Sequence, residues 1–343
     1  MGAMRSRGLL FPSFALALFT SVAGCSSSSS NDAPEPSTPL GSHDPGASAP
    51  PVPVADDAAH PVHVVASDAR VPVYAVAVDG DHVYFTTDTA VMSAPLAGGA
   101  AAQIAAAAPS TSPALGFDAQ SIFWSDRGEG GDASAIRLAG KAGGAAAILG
   151  ATHAEASAPR AIAVDATNVY YTTADGAVVQ VPKAGGAEHT LATGQSQPAT
   201  LAVDEEAVYW TTSDGALRKT AIGDTIVNNL ASVGGPIGGI TVDDTCVFFS
   251  DTNAGAIKMV WKDGSHPQAI ADKLTAPGAV VEDKASKAVY FLVEGALMKA
   301  SDDGGPATRI AHAIDGATGL AVVQGQGVVV WGSKTGVYAT TSP

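Results

Sequence analysis

The sequence predicts an all-β chain closed into a seven-bladed β-propeller with four antiparallel strands per blade. Three observations carry that prediction. One unit recurs seven times, the first six copies each contain four strand-like runs split by turn formers, and the strand missing from the last copy is present ahead of the first. Composition agrees: 46% apolar residues supply a large core, while 38 Gly and 21 Pro supply many turns.

The N-terminus precedes the repeats and reads differently. Arg5 and Arg7 lead an apolar stretch from Gly8 to Phe19, which gives way to Ser21-Val22-Ala23-Gly24-Cys25. A charged head, a short apolar run and small residues before a cut describe a secretory signal over residues 1–24, too short to span a bilayer comfortably. The last residues resemble the bacterial lipobox, which implies acylation of Cys25 and export of a lipoprotein. Ser26 after the cysteine suits sorting to the outer membrane or cell surface. Residues 25–60 are rich in Ser, Pro, Ala and Asp with almost no bulky apolar side chains, so they are expected to form a flexible tether to a propeller over 61–343.

The clearest copy runs Ala161-Ile162-Ala163-Val164-Asp165, then Val169-Tyr170-Tyr171-Thr172-Thr173, Asp175-Gly176, Ala177 to Pro182, Gly185-Gly186 and Glu188 to Ala192. Strand a ends at the recurrent acid and strand b is the aromatic run. Strand c follows the Asp-Gly pair, and strand d follows the Gly-Gly pair, both suited to tight hairpins. The marker position of the other copies falls at Asp79, Asp118, Asp204, Asp243, Glu282 and Gln324, with spacings of 39, 47, 39, 39, 39 and 42 along the chain. The seventh copy ends with strand c at Gly336 to Thr340, so Val62-His63-Val64-Val65-Ala66 is expected to complete it.

The b strands, above all Phe123-Trp124-Ser125-Asp126 and Phe248-Phe249-Ser250-Asp251, resemble those of YWTD propellers and their TolB-like relatives. That resemblance spans about residues 62 to 340. It implies six blades, the alternative to the seven counted here. Thr87, Thr173 and Thr212 depart from it by replacing the final acid.

Charge narrows the partners. With 18 basic and 33 acidic residues the chain carries −15, which opposes binding to nucleic acid or to anionic lipid headgroups. The recurrent acids Asp79, Asp118, Asp165, Asp204 and Asp243 could ring a cation, but an Asp three residues before a strand more simply caps its own turn. The histidines share no repeat position, no nucleophile elbow or phosphate loop occurs, and Cys246 reads as a buried apolar residue. No catalytic, cofactor or metal residues are therefore assigned.

The longer spacing in copy two comes from its b-to-c loop and its exit connection. Arg127, Glu129, Asp132, His153, Glu155 and Arg160 lie there and form the candidate partner-binding set. The expected function is a monomeric, envelope-anchored module that binds a protein, peptide or glycan without catalysis. A metal-dependent propeller hydrolase or lactonase is the alternative.

Overall fold

The computed structural model describes residues 62–66, 72–107, 114–127, 133–154, 157–312, 314 and 316–342. Cys25, the signal and tether segments, Glu129, Asp132 and Glu155 lie outside the described residues.

Strand β1 (His63–Ala66) comes first, and blade one follows as β2 (Val76–Asp79), β3 (His82–Thr86), β4 (Ala90–Pro95) and β5 (Ala102–Ala106). Blade two holds β6 (Leu115–Phe117), β7 (Ser121–Asp126), β8 (Ser134–Gly140) and β9 (Ala147–His153). Blade three holds β10 (Pro159–Val164), β11 (Asn168–Thr173), β12 (Val178–Pro182) and β13 (His189–Ala192). Blade four holds β14 (Leu201–Val203), β15 (Ala207–Thr211), β16 (Ala216–Ala221) and β17 (Asn228–Ser232). Blade five holds β18 (Ile237–Val242), β19 (Cys246–Asp251), β20 (Ala256–Trp261) and β21 (Gln268–Ala271). Blade six holds β22 (Val280–Asp283), β23 (Ala288–Val293), β24 (Ala296–Ser301) and β25 (Thr308–His312). Blade seven holds β26 (Gly319–Val323), β27 (Val328–Ser333) and β28 (Gly336–Thr341).

Each blade is a four-stranded antiparallel sheet in chain order, except that β1 supplies the fourth strand of blade seven. It pairs with β28 through His63 opposite Ala339 and Val64 opposite Tyr338. Seven blades are thus present among the described residues, and the six-bladed alternative is set aside.

The reason the blades stack is written in strand b. Its aromatic run is buried from both sides, with Trp124, Tyr170, Tyr171, Trp210, Phe249 and Trp331 at most 1% exposed. The described core divides into seven apolar clusters, each shared by two adjacent blades. Every blade therefore covers its neighbour's apolar face, and the ring leaves neither face of a sheet to water. Cys246 lies in the cluster between blades five and six, fully buried.

Register corrects two of the marker positions. In blade one Ala77 faces Tyr84 and Val78 faces Val83, while in blade six Val281 faces Tyr290 and Glu282 faces Val289. The residue equivalent to Asp79 is consequently Asp283, and Glu282 takes the place of Val78. In blade seven Ala321 faces Val330 and Val322 faces Val329, so Val323 rather than Gln324 is the equivalent. The longer turn Lys284 to Lys287 in blade six hides this one-residue offset from a count along the chain.

Candidate functional site

Antiparallel alternation puts the a–b and c–d turns of every blade on one face of the ring. The recurrent aspartates sit there. Asp118 Oδ1 accepts the Gln120 and Ser121 amides at 2.9 and 2.8 Å, and Asp204 Oδ1 accepts those of Glu206 and Ala207, both at 2.8 Å. Asp165 and Asp243 accept the equivalent amides of Thr167 and Asn168 and of Thr245 and Cys246. These four acids cap their own turns, as the spacing predicts. Blade one differs because Gly80, at φ +44°, carries that turn itself.

In Asp79, Asp118 and Asp204 the second oxygen reaches the next blade. The first residue after strand c of blade n+1 lies against the aspartate of blade n, and in three interfaces it is lysine. Lys183 meets Asp118 at 2.8 Å, Lys262 meets Asp204 at 2.7 Å, and Lys141 bonds Asp79. Lys141 also lies over the rings of Tyr84 and Phe117, at 5.2 and 4.8 Å from their centroids. Tyrosine hydroxyls add to this at Asp165, from Tyr170 at 2.7 Å, and at Asp204, from Tyr209 at 2.9 Å. Burial alone would raise the Asp204 carboxyl, but Lys262, the two turn amides and Tyr209 outweigh it and hold it below the ordinary value. Asp118 and Asp165 are held down in the same manner.

The interface of blades five and six breaks the pattern. The residue after strand c is Asp302, so an acid faces an acid across the junction with Asp243. Glu282 joins them from β22, and one carboxylate oxygen from each of the three lies within 4.8 Å of the others. Glu282 is 4% exposed, and its Oε2 is buried with no hydrogen-bond partner among the described residues. Burial, then the charges of Asp243 and Asp302, push its carboxyl up to about 8.

Over blades three to six the same face opens into a depression of about 720 Å³. Asp165, Asp204, Glu205, Glu206 and Asp244 line it, with Lys262 and Lys284 as its cations. A second cavity of about 440 Å³ lies beside the closing strand, between Ala66, Phe85, Met92, Gln103 and Gly336.

The candidate set from copy two is only partly brought into view. Arg127 is exposed after β7, and Arg160 is half-buried in β10. His153 is turned inward, its Nε2 2.9 Å from the Tyr171 hydroxyl and 3.4 Å from Glu188, which also accepts the Ala151 amide at 2.8 Å. This network fastens β9 to the next blade. Sequence reasoning missed the Asp243, Glu282 and Asp302 cluster. The signal available to it was Asp302 in a position held by lysine in three other copies.

Fold and face together define a seven-bladed propeller with an acidic turn surface. No protein-family model matches the chain, and no curated protein matches it. Solved structures do. A YCF48 chain described as bound to D1 peptide superposes with a TM-score of 0.64 at 11% identity, covering 87% of this chain and all of that one. YCF48 from Cyanidioschyzon merolae gives 0.63 at 12% identity, over 82% and 99% of the two chains. The computationally designed protein Ika8 gives 0.59 at 15% identity, over 82% and 98%. At such identities the similarity establishes the propeller fold.

Proposed function

We propose that this chain is a non-catalytic binding module, exported as a lipoprotein through Cys25, whose propeller engages a protein or peptide through its acidic turn face. The observation that carries the reading is the depression over blades three to six, lined by five acids against two lysines. Such a surface favours a basic or mixed-charge stretch, with long-range attraction setting the encounter rate. The neighbour described with a D1 peptide supports peptide recognition as a use to which this fold lends itself.

The test is direct. Peptides rich in Lys and Arg are expected to bind the full-length chain in a salt-dependent way, and acidic peptides of the same length are not. Glu205→Lys with Glu206→Lys is expected to weaken binding by about tenfold or more, as two like charges now face the peptide. Equal affinity for both peptide classes would refute the assignment of this face. The anchor is tested separately by metabolic labelling with a fatty acid, where Cys25→Ala is expected to abolish incorporation.

A further inference from the structure

The seven blade junctions on the turn face are built from the same three positions: the residue ending strand a of one blade, the residue after strand c of the next, and the residue of that next blade's strand a that points back across the junction. Between blades one and two they are Asp79, Lys141 and Phe117, and between blades four and five Asp204, Lys262 and Val242. The junction of blades seven and one is apolar throughout, with Val323, Leu96 and Val78 in one cluster. At the junction of blades five and six the three are Asp243, Asp302 and Glu282.

Two independent features make this junction unlike an ordinary acidic surface. The first is that the slot holds an ammonium wherever an aspartate faces a lysine, so its geometry already suits a cation between the blades. Asp243 lacks every substitute used elsewhere. It has no lysine, and Phe248 stands where Tyr170 and Tyr209 give a hydroxyl to Asp165 and Asp204. The second feature is Glu282, a carboxylate in a position that is Val or Phe in the other six blades, 4% exposed and with Oε2 unpartnered. A buried carboxylate oxygen without a donor is costly unless a positive charge or a proton meets it. Two lysines lie near without an ion pair to the three carboxylates among the described residues: Lys284, just after β22, has its Nζ 3.5 Å from Asp244, and Lys287 is felt at Asp302 only through space.

We propose that Asp243, Glu282 and Asp302 hold a divalent, oxygen-seeking cation of the calcium type, which staples blade five to blade six where other junctions use lysine. Three carboxylate oxygens within 4.8 Å of one another can share one ion at about 2.4 Å, and a donor set made only of oxygen selects calcium over zinc or copper. The site is structural, and it does not depend on the partner-binding reading above.

The experiment is a calcium titration of the full-length chain after chelator treatment, followed by calorimetry and thermal melts. One ion per chain is expected, with a rise in Tm of about 5 °C at a hundredfold excess over Kd. Glu282→Val restores the residue type of the other blades, and Asp302→Lys restores the ammonium. Each is expected to weaken binding at least a hundredfold and to abolish the rise, while melting higher than the chelated parent. Glu282→Gln, which keeps the side chain's size, is expected to weaken binding at least tenfold and covers the case in which the other variants fold poorly. Overturning results are a chelated protein indifferent to calcium, magnesium, manganese and zinc, or an ion bound equally well by parent and variants.

Discussion

Asp118 and Asp204 each divide their two oxygens between their own turn and the neighbouring blade, and the two jobs differ in how visible they are. Turn capping is local: Asp118 and the amides it accepts lie within three residues, so the sequence is enough to predict it. The cation across the junction is not local, since Lys183 is 65 residues from Asp118 and becomes its partner only through blade stacking. Glu282 is the sharper case. A one-residue offset made it look like another turn acid, whereas its register places it in an apolar slot. Among the lysine pairs, Lys262 with Asp204 is well enclosed, their side chains 18% and 11% exposed. Lys262→Met is expected to cost about 1–3 kcal/mol, measured by urea unfolding, with the cost reduced when Asp204→Asn is introduced as well. Because Asp118, Asp165 and Asp204 are held below their ordinary value of 3.8, they add stability that is full above that pH and fades as pH falls through their lower folded values. Melting curves are expected to show this decline as pH falls below about 4, shallower in Asp204→Asn.

At the scale of the element, strand b shows why the motif varies without the blade changing. Its third motif position carries a hydroxyl in five blades, and in four of them, at Thr86, Ser125, Thr172 and Thr211, it accepts an amide in strand a or just ahead of it, at 3.0 to 3.2 Å. Its fourth position supplies an acceptor at the b–c hairpin in the other blades, whereas blade six has Val293 there. Thr173 and Thr212 take the Ala177 and Ala216 amides, while Asp251 takes that of Ala254 and pairs with Lys258 of strand c. Threonine in place of the acid is therefore a working variant, and the departure from the YWTD pattern has a plain cause. Thr172→Ser is expected to change unfolding free energy by less than about 0.5 kcal/mol, and Thr172→Val to cost about 1–2 kcal/mol, because it leaves the Ala161 amide without its acceptor. Strand type and hairpin position were legible because both follow from short-range rules. The face each loop presents was not: His153 stood out as a loop histidine, yet β9 carries it against Tyr171.

For the whole molecule, the repeat count and the missing last strand were sufficient to predict a ring of seven, because a ring closes only when every blade is complete. The acidic depression was not predictable, since it arises where four blades meet. Removing residues 62–66 is expected to lower the melting temperature of the entire ring, because it strips Val65 and Ala66 from the cluster shared by blades seven and one. Removing residues 26–58 is expected to leave it unchanged, and calorimetry of both truncations decides the point. The same closure sets an order of events in time. Blades one to six can each form from a contiguous stretch of chain, but β1 pairs with β28, so the first strand of the ring must wait for its last. Pairing across so long a separation carries the largest loop-closure entropy in the chain and belongs to the slow class of folding events. Until that step is complete, β28 has an open edge able to accept a β1 from another copy, so crowding during folding favours strand-exchanged pairs and dilution favours the closed ring.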